Sequence, residues 1–370
     1  MKFTCSQREL SKALNIVSKA ISIRTTIPIL KGIKLELKEN TLLLSASDLD
    51  LSIENSIKVN MIENGSTVVP AKLFGDIIRK LPNEEITIEE AENNIIIINS
   101  SKSKFEIVCF NTDEFPNIKG EEKILNIIKT DRKIFRDMIS KTSFAAATEE
   151  ARGIITGILL EVNEESLTMV ALDGFRMAIT KAIMKNSSSH NFVISAKILN
   201  EINKIIMESE EDGEITISFG EKKAFIQLDT TYITLKMLEG EFMNYKKIIP
   251  ENETTTVLIN KSDFIGSMER ASLISKESKK NLIRINIKNN LLTLTSRSEE
   301  GNVKEEIIIE KEGNDIEIGF DSKYMIAALK AIDEEYVKIE MTTNTKAALV
   351  KPTQGDFCEY LVMPVRIPSI

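Results

Sequence analysis

Residues 165–183 read ESLTMVALDGFRMAITKAI: two alternating apolar runs joined at Asp173-Gly174. Period-two alternation around an Asp-Gly turn is the pattern of a β-hairpin. The pattern recurs 125 residues earlier as NTLLLSASDLDLSIENSI (40–57) and 125 later as NLLTLTSRSEEGNVKEEIII (290–309). Asp48, Asp173 and Ser298 occupy matching positions. A period this long exceeds any solenoid unit, so each copy reads as a domain.

Other segments repeat in the same order. SQRELSKALNIVSKAI, TDRKIFRDMISKTSFAA and NKSDFIGSMERASLISK begin at Ser6, Thr130 and Asn260. Each opens on a capping candidate and then places apolar residues at helical spacing. Leu10, Ala13, Leu14 and Val17 form the first stripe; Phe135, Met138 and Ile139 repeat it, as do Phe264 and Met268. A second helical triplet carries a small residue followed by Lys at Ala71-Lys72, Ala196-Lys197 and Ser322-Lys323. Helices are expected over 6–22, 71–81, 131–147, 196–207, 260–278 and 322–332. Each copy closes on further strands: EITIEEAENNIIIINS, EITISFGEKKAFIQL and YVKIEMTTNTKAALV. The expected fold is α+β: three repeated domains of two helices and about eight strands, the helices covering antiparallel sheet. Pro, Gly and charge in EFPNIKGEEK (114–123) and KKIIPENETT (246–255) set the boundaries at 1–121, 122–250 and 251–370.

Composition narrows the chemistry. The 370 residues are 42% hydrophobic and 28% charged, ordinary globular values. No apolar h-region follows MKFTCSQREL, and no run reaches the ~20 residues of a spanning helix. Cys5, Cys109 and Cys358 are scattered and odd in number, which signals neither disulfide framework nor zinc site and reads as a reducing, cytoplasmic setting. The single histidine, His190, sits in the polar run KNSSSHN. No phosphate loop, nucleophile elbow or H-E-x-x-H is present, and no carboxylate pair is singled out. Neither catalytic residues, nor a metal, nor a cofactor are expected. Three readings compete: a nucleic-acid-binding protein, a repeat-built peptide-binding scaffold with no DNA role, and an enzyme using an unrecognised carboxylate pair, the weakest given the single histidine and the lack of a motif.

Charge distribution favours the first. The net charge is −8, yet the six helical segments hold 17 Lys and Arg against 8 Asp and Glu. Phosphates respond to the local field rather than the whole-protein sum. Aromatic interleaving for single strands and helix-turn-helix or zinc-finger patterns for base readout are absent. Contact with duplex backbone, independent of sequence, is the expected form.

Together with the triple repeat, TIPIL after the first helix, the EFPNI junction, ALDGFRMA and the terminal YLVMPVRI resemble the bacterial DNA polymerase III β subunit family, the sliding clamps. The resemblance runs through the whole chain. It implies a non-enzymatic closed ring, a head-to-tail homodimer with helices lining the hole. Twelve helices spaced ~8–10 Å apart would give a diameter of at least ~30 Å, the scale needed for a duplex. The implied partners are double-stranded DNA, the polymerase III catalytic subunit, the clamp loader and other proteins carrying a clamp-binding motif, with no membrane.

Three residue sets follow from the resemblance. DNA contacts fall to Lys12, Arg24, Arg79, Lys80, Lys141, Arg152, Lys197 and Lys204; Gly153-Ile154 stand where the family often has aromatics. A partner-peptide pocket between the second and third domains takes Ile155, Leu172, Gly174, Phe175, Arg176, Met177, Met243, Lys247, Ile248, Thr345, Ala347, Leu361, Val362, Met363, Pro364, Val365, Arg366 and Ile367. Phe175 replaces a frequent His and Met243 a frequent Pro, and Pro368-Ser369-Ile370 extends past the usual end. The dimer interface takes Lys102, Lys104 and Phe105 of one subunit against Leu273, Ile274, Glu299 and Glu300 of the other.

Overall fold

The structure, a computed structural model, describes residues 1–22, 25–118, 122–186, 189–209, 212–275 and 281–367. Arg24, the expected helix end at 276–278 and the tail at 368–370 lie outside the described residues.

The first copy runs β1 (Lys2–Ser6), α1 (Gln7–Val17), β2 (Gly32–Lys38), β3 (Thr41–Ser47) and β4 (Leu51–Lys58). It continues with β5 (Asn60–Glu63), β6 (Gly65–Pro70), α2 (Ala71–Lys80), β7 (Glu85–Ala91), β8 (Ile95–Ser100) and β9 (Ser103–Val108). The second runs β10 (Asn126–Asp131), α3 (Arg132–Thr142), β11 (Gly157–Asn163), β12 (Ser166–Leu172) and β13 (Arg176–Ile183). Then come β14 (His190–Ser195), α4 (Ala196–Glu208), β15 (Glu214–Phe219), β16 (Lys223–Leu228) and β17 (Thr231–Lys236). The third runs β18 (Thr255–Asn260), α5 (Lys261–Ser275), β19 (Leu282–Lys288), β20 (Leu291–Arg297) and β21 (Asn302–Ile308). It ends with β22 (Glu310–Gly313), β23 (Ile316–Asp321), α6 (Ser322–Lys330), β24 (Tyr336–Met341), β25 (Ala348–Pro352) and β26 (Cys358–Val362).

The apolar stripes decide how the helices sit. Leu10, Ala13, Leu14 and Val17 of α1 are buried, as are Phe135, Met138 and Ile139 of α3 and Phe264 and Met268 of α5. Their spacing puts them on one helical face, turned to the sheet while Lys12, Lys72 and Lys197 stay exposed. Ser6 occupies the N-cap of α1 but makes no side-chain cap bond. Asn260 does cap α5, its carboxamide oxygen accepting from the Asp263 N–H at 3.2 Å.

The sheets ignore the limits of the copies. An eight-stranded sheet has the order β10-β15-β16-β17-β4-β3-β2-β6, so copy two pairs with copy one along β17 and β4. A nine-stranded sheet, β14-β11-β12-β13-β26-β25-β24-β18-β22, joins copies two and three along β13 and β26. Two shorter sheets remain, β5-β1-β7-β8-β9 and β21-β20-β19-β23. The chain consequently packs as two compact units, residues 1–132 with 204–237 and residues 133–203 with 238–370. Among the described residues no helix is long and apolar enough to cross a membrane.

Candidate functional site

The hairpin turn has one closure in all three copies. The N–H of Asp48, Asp173 or Ser298 donates to the carbonyl three residues on, at Leu51, Arg176 or Gly301. Asp48 Oδ1 takes the N–H groups of Asp50 and Leu51; Asp173 Oδ1 takes those of Phe175 and Arg176; Ser298 Oγ takes that of Glu300. The second turn residue is left-handed in copies one and two, Leu49 at φ 80° and Gly174 at φ 90°. Glycine adopts that region at no cost, whereas Leu49 is strained.

Side chains make the middle copy different. Leu172 and Met177 face each other across β12 and β13. In copy one the matching pair is Ser47 and Ser52, whose hydroxyls bond at 2.8 Å, and in copy three it is Arg297 and Asn302. Only the middle pair can floor an apolar site. It lies in one cluster with Leu159, Val170, Val193, Tyr245, Ala347, Leu349 and Leu361, against which Ile154, Ile155 and Met363 pack.

Arg176 stands on the opposite face of β13. Its Nε donates to Asp173 Oδ2 at 3.0 Å, and its guanidinium carbon lies 4.9 Å from the Tyr324 ring centre and 5.3 Å from that of Phe144. Phe175 stacks on Tyr324 at 5.7 Å with 7° between ring planes. Burial raises the Tyr324 phenol, with Asp173 and Asp321 adding to the shift and Arg176 and Arg152 opposing it. Burial also raises the Asp321 carboxyl against the pull of the Lys323 N–H and Arg176. Sequence reasoning passed over Tyr324 and Phe144. A signal existed for the first: after the small-Lys pair, copies one and two carry Leu73 and Ile198, and copy three an aromatic.

The chain end seals the turn. The Met363 N–H donates to the Phe175 carbonyl and the Val365 N–H to the Gly319 carbonyl, both at 2.8 Å, with Pro364 between. A Cβ on Gly319 would stand 2.8 Å from the Val365 carbonyl oxygen, so glycine permits this approach. Arg366 is exposed and Ile367 half-buried.

The expected pocket residues therefore divide. Ile155, Leu172, Met177, Ala347, Leu361 and Met363 come together in the cluster. Val362, the cross-strand partner of Arg176, is fully buried on the other face of β26 from Leu361. Gly174 and Phe175 form an exposed rim, and Thr345 is exposed with its hydroxyl on Thr343. Met243 lines an adjoining cavity of about 590 Å³ with Leu159, Val193 and Phe242. Lys247 and Ile248 belong to the turn beyond it and are outside the cluster. At the cavity wall Glu161 accepts the Tyr245 hydroxyl at 2.7 Å and Lys246 Nζ at 2.8 Å. Burial pushes that carboxyl up, and the Lys246 and Tyr245 bonds outweigh it, leaving Glu161 below the ordinary range.

The basic residues are unevenly available. Lys12, Lys80, Lys197 and Lys204 are exposed on α1, α2 and α4, and Arg79 is exposed with Asp76 at 3.1 Å. Lys141 is bound to Asp333 at 2.5 Å; burial lowers its ammonium and Asp333 more than reverses this. Arg152 donates through Nη1 to the Asp173 carbonyl at 2.8 Å. Of the interface set, Leu273 is 66% exposed and Phe105 38%, on α5 and the sheet edge β9, and Lys104 pairs with Glu106. Lys102, Glu299 and Glu300 are exposed and Ile274 half-buried.

Family models of the DNA polymerase III beta subunit match in order: the N-terminal domain over residues 1–119, the central domain over 129–244 and the C-terminal domain over 246–366. The chain belongs to the DNA polymerase III beta subunit family. It is 35% identical over 377 residues to the beta sliding clamp of Staphylococcus epidermidis and 34% identical to that of Staphylococcus aureus, covering 99% of each protein and of itself. Among solved structures, a putative DNA polymerase III beta subunit from Eubacterium rectale matches with a TM-score of 0.94 at 34% identity over 99% of both chains. The DNA polymerase sliding clamp from Bacillus subtilis matches at 0.94 and 30% over the full length of both. The α+β expectation and the three clamp domains hold. The function is that of a sliding clamp in DNA replication, a processivity factor and not an enzyme.

Proposed function

We propose that two copies of this chain close head to tail into a ring around duplex DNA, with 1–121, 122–250 and 251–370 as its domains. The observation that carries this is the pair of incomplete sheets. The nine-stranded sheet is a four-strand half, β14-β11-β12-β13, joined to a five-strand half, β26-β25-β24-β18-β22. The shorter sheets are the same halves in repeat order, β23-β19-β20-β21 and β9-β8-β7-β1-β5. A second chain would join them at β21 and β9, with Phe105 against Leu273 and Ile274, and Lys102 and Lys104 towards Glu299 and Glu300. Charge at such edges orients more than it binds.

Lys12, Arg79, Lys80, Lys197 and Lys204 supply weak, salt-sensitive phosphate contacts that leave the ring free to slide. Partner proteins dock an apolar motif on Leu172, Met177, Leu361 and Met363 beside Arg176, where flexible Met and branched aliphatics repack around different anchors. The partners are DNA polymerase III, its loader and other carriers of the motif, in the cytoplasm. The test is topological. Protein loaded on closed circular DNA should stay bound and leave when the circle is cut; retention indifferent to cutting would sink the ring. Met363→Ala with Arg176→Ala should weaken a labelled peptide carrying Gln and three apolar residues, and unchanged affinity would sink the pocket.

A further inference from the structure

The turn that rims the pocket is held from two sides. On one, the Met363 N–H bonds to the Phe175 carbonyl at 2.8 Å. On the other, Arg152 Nη1 bonds to the Asp173 carbonyl at 2.8 Å, and its Nε lies 3.7 Å from Glu149 Oε2. A Cβ added to Gly174 would stand 3.7 Å from that same Nη1, so the guanidinium lies alongside the turn. Sequence reasoning placed Arg152 among the phosphate contacts; its side chain is turned to the pocket.

The loop that carries Arg152 is built to hold it there. The Ala147 N–H donates to the Ile155 carbonyl at 3.0 Å, the Arg152 N–H to the Glu149 carbonyl at 2.9 Å, and the Thr156 hydroxyl to the Gly153 carbonyl at 2.8 Å. Gly153 takes φ 61°, ψ −128°, a conformation only glycine accepts readily, and this reverses the chain directly after Arg152. Ile154 and Ile155 then enter the apolar cluster beneath Met177. One short loop thus contributes to the floor of the site and grips its rim.

The turn closes identically at Asp48 and Ser298. The residues matching Arg152 by the 125-residue step are Ile27 and Glu277, and neither side chain can donate. Of the three matching sequence positions, only the one in the copy whose turn borders the apolar cluster carries a side chain that can donate.

We propose that Arg152 is a positioning residue of the partner pocket: by anchoring the Asp173 carbonyl it fixes Phe175 and Arg176 for an incoming peptide. This rests on the pocket reading above. A charge-assisted bond of this kind corresponds to about a tenfold change in affinity. The test uses the full-length protein and a fluorescent peptide carrying Gln and three apolar residues. Arg152→Ala should weaken binding about tenfold, and Arg152→Lys should restore part of it, since Lys still donates. The losses in Arg152→Ala and Arg176→Ala should be non-additive in the double variant, as both act through one turn. If Met363→Ala weakens the peptide while Arg152→Ala leaves it unchanged and instead lowers the salt slope of DNA binding by about one, Arg152 is a phosphate contact and the inference is overturned. If Met363→Ala also binds as the parent does, the pocket reading falls and this inference falls with it.

Discussion

Asp173 and Arg176 are joined three times across a single turn. The Asp173 N–H donates to the Arg176 carbonyl at 3.2 Å, the Arg176 N–H to Asp173 Oδ1 at 3.0 Å, and the Arg176 Nε to Asp173 Oδ2 at 3.0 Å. The carboxylate thus fixes both the backbone and the side chain that leads towards Tyr324. Asp173→Ala should cost about 1–2 kcal/mol of stability and weaken the motif peptide, with Asp173→Asn in between. Chemical denaturation and fluorescence anisotropy give the two numbers. A variant as stable as the parent would show the turn to be held by its strands alone.

Leu49 makes the opposite prediction. It holds φ 80° with its side chain 58% exposed, so little burial offsets the strain. Leu49→Gly should raise stability by about 1 kcal/mol, while Gly174→Ala should lower it. A drop in midpoint for Leu49→Gly would show that the entropy glycine adds to the unfolded chain outweighs the relieved strain.

Phe105 is 38% exposed on an open sheet edge. Phe105→Arg should shift the light-scattering mass from a dimer towards the 41.6 kDa of one chain. An unchanged mass would place the subunit contact elsewhere.

Glu161 gives a pH dependence with a defined sign. Its carboxyl lies below the ordinary 4.5 because Lys246 and Tyr245 outweigh the effect of burial. A lowered folded value stabilises above the unfolded pKa, and that stabilisation is lost as pH falls through the folded value. Glu161→Gln should therefore flatten the decline in stability below about pH 4.5 and cost stability near neutrality. Parallel acid profiles for parent and variant would contradict this.

Burial pushes the Cys5 thiol up to about 12, and raises Cys109 and Cys358 as well. A thiol-specific chromophore at pH 8 should react slowly with native protein and fully, at three equivalents, once it is unfolded. Rapid native labelling would show that one of these sites opens.

Periodicity made the helices and hairpins legible. The stripes at Leu10, Phe135 and Phe264 and the turn residues at steps of 125 each have a local physical cause. Pairing between copies does not, because nothing in β17 alone says that its neighbour is β4. The apolar cluster was legible where Leu172 and Met177 break the polar pattern of Ser47 and Ser52. The bond from Arg152 to the Asp173 carbonyl was not legible, because a cation after a helix suits a phosphate as well as it suits a carbonyl. Tyr324 was passed over because its partners, Phe175 and Arg176, lie about 150 residues away in the chain.

The pairing of β17 with β4 and of β13 with β26 limits how this protein can be divided. A fragment cut at the sequence boundaries, residues 122–250, would lose the strand beside β13 and the strand beside β17 at once. It would carry two long bare edges into solution, where like fragments would find each other. The compact units are pairs of sheets, residues 1–132 with 204–237 and 133–203 with 238–370, rather than repeats.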